Sequence, residues 1–469
     1  MELSNVEWEL PWEAEKILSV LTDNGYEAFI VGGCVRDMIL GRIPDDWDIT
    51  TSASPVQVKE LFNKTIDTGI AHGTVTVMIN RVGYEVTTYR VDGEYEDCRH
   101  PKEVSFTTSL EEDLKRRDFT INAMAYNRTV GLVDLFGGVS DMQNACIRCV
   151  GNPYERFAED ALRIMRAVRF ASQLGFTIED ETAAAMKRLA PNLAKVSAER
   201  VRTELVKLLN GAHPELLMTA WEAGITAVVL PEWDAMMATE QNNPHHCYNV
   251  GMHTMKGIEA LHREPFYCTA EEHDRTVMNL TMLLHDSGKP MCRSTSENGT
   301  DHFYGHPERS SELAKTVLRR LKFDNDMIDL VGRLVLYHDC RFQVKTGDEA
   351  VRSVRRIAGR VGLDNLPYLF PIQRADIWAQ ATKYHESGYA VMAVMEEAYR
   401  VIVDENQCVS LKELAVKGRD LLEIGYQPGP ELGTVLNTLL EIVVENPEQN
   451  NRDALLATAK EMLSDRNNR

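Results

Sequence analysis

Ile30-Val-Gly-Gly-Cys-Val-Arg-Asp-Met-Ile-Leu-Gly-Arg-Ile-Pro-Asp-Asp-Trp-Asp-Ile-Thr50 combines three devices in one short stretch. The apolar run Ala28–Val31 predicts a buried strand. Gly32 and Gly33 then open a short helix carrying Arg36 and Asp37. Asp46 and Asp48 stand two apart at the head of a second strand, where a period of two points both to one face. Adjacent carboxylates repel unless a cation lies between them. Hard oxygen ligands of this kind suit Mg²⁺ held jointly with substrate phosphates. A Gly-Gly turn before a helix lets backbone N–H groups approach a phosphate. An Asp-x-Asp alone is equally well a solvated turn. Cradle and dyad together predict phosphoryl or nucleotidyl transfer.

The flanking residues extend this reading. Trp12–Thr22 is an amphipathic helix stopped by Asn24-Gly25. Thr74–Ile79 and Tyr84–Tyr89 are β-rich, with Arg81-Val82-Gly83 expected as the hairpin turn. If the second of these strands neighbours the Asp46/Asp48 strand, Glu85 completes a three-carboxylate site of the kind two-metal catalysis requires. The segment Asp92–Phe106 is polar and reads as a mobile loop. In Asp113-Leu-Lys-Arg-Arg-Asp-Phe-Thr-Ile-Asn122, helical spacing would put Asp118 and Asn122 on one face. Two arginines beside a metal site read as a clamp for triphosphate and ribose.

The whole chain sets the bounds. Its 469 residues imply three or four domains. Apolar residues make up 44% and charged residues 26%, an ordinary soluble composition. No apolar run approaches a membrane span, and the acidic opening residues lack a signal-peptide layout. The nine scattered cysteines fit a reducing cytoplasm, and Cys146/Cys149 is a lone CxxC read as structural. A net charge of −20 argues against nucleic acid unless a local basic patch exists.

Taken together, Gly-Gly-x-Val-Arg-Asp, Asp-x-Asp, Glu-Val-Thr-Thr-Tyr-Arg, Arg-Arg-Asp-Phe-Thr-Ile-Asn-Ala and Asp-Leu-Phe-Gly-Gly resemble the class II tRNA nucleotidyltransferases and bacterial poly(A) polymerases. The resemblance implies an α+β fold. A polymerase-β-like nucleotidyltransferase head with a small mixed sheet would be followed by mostly α-helical neck, HD and tail domains. It implies that Asp46 and Asp48 bind Mg²⁺ and that Glu85 is the third carboxylate. It further implies that Gly32, Gly33, Arg36 and Asp37 hold the triphosphate, while Arg117, Asp118 and Asn122 contact the nucleotide.

Glu155–Leu174 predicts one strong helix with Phe157, Ala161, Met165 and Val168 as its core stripe. Arg156, Asp160 and Arg163 lie on another face. As a bare pattern they could be a surface ion-pair array. By resemblance, Glu159-Asp160-x-x-Arg163 is the motif that selects the incoming nucleotide without a nucleic-acid template, with Arg166 on the same helix. The chemistry agrees. Asp only accepts and Arg only donates. On a helix the two are about 4.5 Å apart along the axis. Cytosine and adenine each pair an amino donor with a ring acceptor, whereas guanine and uracil reverse that order. Such a site admits C and A and rejects G and U. Telling C from A must come from elsewhere. Ser197–Glu204 opens the next helix with an N-cap Ser. It resembles a motif that buttresses the selecting helix through Glu199, Arg200 and Glu204.

Nine of the thirteen histidines fall between His245 and His338. The order His253, His285-Asp286, His306, His338, Asp376 resembles the HD phosphohydrolases and implies a second site for a divalent transition metal. His302 and Asp339 are weaker candidates, and His245 and His246 would cap or line the pocket. Beyond residue 391, Leu411–Ile424, Leu436–Val444 and Asp453–Leu463 predict helices, with Pro428-Gly429-Pro430 as a breaker. The expected domains are 1–148 (head), 149–235 (neck), 236–390 (HD) and 391–469 (tail).

The resemblance thus implies a cytoplasmic enzyme that adds C, C and A to the tRNA 3′ end from CTP and ATP. The oligomeric state is left open. An A-adding enzyme or poly(A) polymerase is one alternative. An HD phosphohydrolase with an RNA-binding N-terminal module is the other.

Overall fold

A computed structural model of the chain describes residues 6–93, 104–341 and 347–467. It contains two units, Met1–Pro231 and Glu232–Arg469.

The first unit starts with α1 (Trp12–Asp23), which ends at Asn24 and Gly25, the latter at φ +85°. Next come β1 (Ala28–Val31), α2 (Gly33–Ile39), β2 (Ile49–Thr51) and α3 (Pro55–Leu61). All four residues of β1 are buried, as an apolar run covered on both faces requires. β3 (Thr65–Gly69), β4 (Thr74–Ile79) and β5 (Val82–Thr88) complete one side of the sheet. The hairpin turn between β4 and β5 is Asn80-Arg81, not Arg81–Gly83. Both residues have positive φ and Ile79 pairs with Val82. This is the two-residue geometry whose twist matches the strands.

The polar segment after β5 begins and ends in a short ribbon. β6 (Arg90–Asp92) pairs antiparallel with β7 (Val104–Phe106). The expected loop between them, 94–103, lies outside the described residues. α4 (Leu110–Lys115), β8 (Met124–Asn127) and β9 (Gly131–Asp134) close the head. The strand order is β3-β4-β5-β2-β1-β8-β9. β2 and β5 run parallel and the other neighbours antiparallel, so the sheet is mixed as expected. α5 (Gly138–Gln143) follows, its first N–H groups accepted by the Asp134 carboxylate at 2.8 and 2.9 Å.

The single long helix expected over Glu155–Leu174 is two helices, α6 (Pro153–Glu159) and α7 (Leu162–Leu174). Asp160 interrupts them in an extended conformation, φ −137° and ψ 103°, and its Oδ1 accepts the Leu162 N–H at 3.0 Å. A short acidic side chain competing for backbone N–H groups ends one helix and starts another. The core stripe still holds: Phe157, Ala161, Met165 and Val168 are buried. α8 (Asp180–Leu189) and α9 (Ala198–Leu209) follow, and α7 packs against α9. Ser197 occupies the N-cap of α9, but its side chain makes no capping bond.

The second unit is helical. Val250–Leu261, Glu272–Leu284, His306–Arg320, Asn325–Tyr337 and Leu366–Ala379 pack on one another. Beyond them Leu421, Tyr426, Leu439, Val443 and Leu455 form a separate apolar core. There the expected helix Leu411–Ile424 is confined to Gly418–Glu423. Turns occupy the preceding stretch, which is pinned by Glu413 accepting from Val409 and Ser410. Pro430–Glu445 and Arg452–Asn467 are helices. None of the described helices is long and apolar enough to cross a membrane.

Candidate active site

Asp46 and Asp48 lie in the loop entering β2, not on the strand, which begins at Ile49. Asp is a poor strand former, and three of the four residues before Ile49 are Asp45, Asp46 and Asp48. The Val31 N–H donates to the Asp48 carbonyl at 3.0 Å, fixing the loop to β1. In the parallel β2–β5 pair Ile49 faces Val86, which brings Glu85 next to Asp48. Desolvation raises the pKa of Asp48, and Asp46 raises it further, against the pull of Arg117. Glu85 is raised by desolvation, then by Asp48 and Asp46. The three carboxylates are therefore mutually repelling oxygen donors, a donor set that fits Mg²⁺. Behind them burial, with the Asp48 charge, pushes the Cys34 thiol up to about 12, so it is no nucleophile.

Gly32 lies at φ +82°, and a Cβ there would meet Arg117 Nη1 at 2.9 Å. The glycine is required twice, by backbone conformation and by close approach. Beside this turn stand two guanidinium groups, that of Arg117 and that of Arg36, whose Nη2 lies 3.7 Å from a Cβ built on Gly33. The Nε of Arg117 is buried and has no hydrogen-bond partner.

The other predicted nucleotide contacts are tied to one another. Arg36 donates to both oxygens of Asp37, at 3.0 and 2.8 Å, and to Asn122 Oδ1 at 2.7 Å. Asn122 Nδ2 donates to Asp118 Oδ1 at 3.2 Å. Arg166 Nε donates to Asp118 Oδ2 at 2.7 Å. Asp118 and Asn122 meet as expected, but not on a helix. α4 ends at Lys115 and Thr120–Asn122 is a 3₁₀ turn. Phe119 anchors that stretch instead, fully buried against Phe170. Burial would raise the Asp118 pKa, but Arg166 and Arg163 outweigh it and hold the carboxyl at about 2.

The base-reading pair is also held from behind. Arg200 Nη2 lies 2.6 Å from Asp160 Oδ2. Arg163 donates to Glu159 Oε2 at 2.6 Å and to the Arg116 carbonyl at 3.0 Å. Glu204 makes a buried ion pair with Arg169 at 2.8 Å. Arg36, Arg166 and Arg169 surround the Phe170 ring at 5.1, 5.2 and 3.8 Å. Sequence reading missed Arg169, Phe170 and Asp113. Asp113 was detectable, because it precedes Arg116 and Arg117 by three and four residues.

In the second unit all six predicted residues converge. His253 Nε2 lies 2.9 Å from Asp376 Oδ1 and His285 Nε2 3.1 Å from Asp286 Oδ2. His306 and His338 approach Asp286 Oδ1 at 3.3 and 3.8 Å. Two overlapping triads, His253/His285/Asp376 and His285/Asp286/His338, each gather their ligand atoms within 4.8 Å. Burial holds His338 down at about 4, in the neutral form that ligates metal. Lys289 Nζ lies 2.7 Å from Asp286 Oδ2. A cavity of about 760 Å³ opens over the cluster, lined also by His245, His246, His302, Asp339 and Arg341.

Three family models match. One is described as the poly A polymerase head domain, over residues 28–148. One is described as "Probable RNA and SrmB- binding site of polymerase A", over 175–237. The third is tRNA nucleotidyltransferase domain 2, over 306–459. A CCA-adding enzyme of Lactiplantibacillus plantarum is 35% identical, the match covering 98% of this chain and 99% of the relative. The crystal structure of Bacillus stearothermophilus CCA-adding enzyme in complex with CTP is similar with a TM-score of 0.70 at 31% identity, covering 97% of this chain and 98% of that one. The Thermotoga maritima CCA-adding enzyme complexed with tRNA has a TM-score of 0.57 at 20% identity, covering 98% of this chain and 99% of that one, and attests the fold alone.

Proposed function

The chain belongs to the family of CCA-adding enzymes, and on that premise we propose that it adds C, C and A to the 3′ end of tRNA from CTP and ATP, without a nucleic-acid template. The observation that carries this reading is the meeting of Asp46, Asp48 and Glu85 beside Arg117 and the Gly32 turn. Asp46, Asp48 and Glu85 would hold Mg²⁺. When bound, the metal supplies charge neutralisation at the attacking 3′-hydroxyl and the departing pyrophosphate.

The chain's own residues do the rest. Arg117 binds the triphosphate through the exposed part of its guanidinium. Arg36, Asp37, Asn122, Asp118 and Arg166 form the scaffold against which sugar and phosphates are set. Asp160 accepts from the amino group of C or A and Arg163 donates to the neighbouring ring nitrogen. A base with the reverse order leaves both half-buried groups mismatched. The functional boundaries we assign are 1–148, 149–235, 236–390 and 391–469, and the cytoplasm is the compartment that holds the substrates. The test uses two tRNA primers, one lacking the whole tail and one ending in CC. Extension of both, with CTP needed only by the first, supports CCA addition. Extension of the second alone indicates an A-adding enzyme.

A second activity is favoured by the six-residue cluster in the second unit. Its imidazole and carboxylate donors fit a divalent transition metal. We assign it a phosphohydrolase site of the HD type acting on phosphorylated or cyclic RNA ends.

A further inference from the structure

We infer that Asp113 is a positioning residue that makes the strand following the Asp46/Asp48 loop and the triphosphate-binding arginine move as one body. The inference rests on the nucleotidyltransferase reading above.

Asp113 is fully buried, and a buried carboxylate persists only when its neighbours repay its desolvation. Its Oδ2 accepts the Thr50 hydroxyl at 3.0 Å. Thr50 lies on β2, two residues after Asp48. The same Oδ2 is 3.5 Å from Arg117 Nη2. Its Oδ1 accepts from Arg116 Nε and Nη2 at 3.0 and 2.8 Å. The Arg116 backbone carbonyl in turn accepts from Arg163, the base-reading arginine. One carboxylate therefore joins three things: the strand that follows the Asp46/Asp48 loop, the arginine against the Gly32 turn, and the peptide that orients Arg163.

The geometry is asymmetric in a useful way. Arg117 has two anchors: the 3.5 Å ion pair with Asp113, and packing against Gly32. Burial works against ionised Asp113, yet Arg116 and Arg117 outweigh it and its pKa is lowered. Asp113 has no exposed surface with which to touch substrate. It acts by aiming Arg117 while fixing the distance from Arg117 to the carboxylate loop. On the nucleotidyltransferase reading the triphosphate bridges Arg117 and that loop, so its binding should report on Asp113 more strongly than binding of the base does.

The experiment compares wild type, Asp113→Asn and Thr50→Val. Read-outs are KM and kcat for CTP and ATP, competitive inhibition by inorganic tripolyphosphate, and thermal stability. Asp141→Asn serves as the stability control. Asp141 is another buried head carboxylate, paired with Thr120 and Arg148 rather than with Thr50, Arg116 or Arg117. Asp113→Asn should raise KM for both nucleotides and the tripolyphosphate inhibition constant together, by about tenfold, with a smaller fall in kcat. Thr50→Val should move the same constants in the same direction by a smaller factor. Asp141→Asn should lower stability with KM unchanged. If Asp113→Asn fails to fold, Thr50→Val decides the matter. Unchanged tripolyphosphate inhibition in the folded variants, with loss of stability alone, overturns the inference and leaves the enzyme reading intact. A wild type that transfers no nucleotide overturns both.

Discussion

Asp160 and Arg200 form a two-pronged ion pair, with Nη2 2.6 Å from Oδ2 and Nη1 3.3 Å from Oδ1. The pair fixes the plane of the carboxylate at the break between α6 and α7. A carboxylate held on one edge presents its remaining lone pairs in a set direction, which base selection needs.

Asp160→Ala should therefore relax the exclusion of UTP and GTP. Misincorporation measured by 3′-end sequencing should rise at least about tenfold relative to CTP and ATP. Unchanged selectivity would remove Asp160 from the base-reading role.

Gly32→Ala places a Cβ 2.9 Å from Arg117 Nη1 at a backbone φ of +82°. Backbone at φ +82° and ψ −127° is adopted essentially by glycine alone and costs another residue about 1–3 kcal/mol, and Arg117 must shift as well. Denaturant unfolding should show that loss, and KM for both nucleotides should rise. A variant with wild-type KM would separate the turn from triphosphate binding.

Asp118 stabilises the folded state through its ionised form. Its folded pKa of about 2 lies below the ordinary value of 3.8, so its contribution is fully present above the unfolded value. It fades as pH falls through about 2. Asp118→Asn should cost about 3 kcal/mol at neutral pH, because Arg166 loses a buried partner. The variant should also lose less stability than wild type between pH 4 and pH 2, in the window the shift defines. Parallel acid-unfolding curves would contradict this.

The cluster around Asp286 predicts metal-dependent stabilisation of the second unit. Added Mn²⁺ or Ni²⁺ should raise the melting temperature of the chelator-treated wild type but not of Asp286→Ala. Release of phosphate from 2′-phosphorylated RNA ends, or opening of 2′,3′-cyclic ends, should follow the same pattern. No release with any divalent metal would reduce the cluster to a scaffold.

The sequence was most informative where local chemistry decides structure. Ala28–Val31 is the strand its apolar run predicts, and Thr74–Ile79 likewise. Glu85 was recognisable as a third carboxylate, although only the β2–β5 register puts it beside Asp48. The break at Asp160 was hidden, because 3.6-residue periodicity continues through it and the stabilising Arg200 comes from 40 residues downstream. Asp118 and Asn122 were paired correctly for the wrong reason: a turn anchored by buried Phe119 mimics helical spacing. In the second unit the six metal-type residues were legible singly. Their convergence depends on packing between helices, which no local pattern encodes.

CCA addition itself is read by sequencing the 3′ ends of a tail-less tRNA incubated with this protein, Mg²⁺, CTP and ATP. The wild type should extend the ends by CCA and Asp48→Ala should extend none. Absence of extension by the wild type, or undiminished extension by Asp48→Ala, would contradict it.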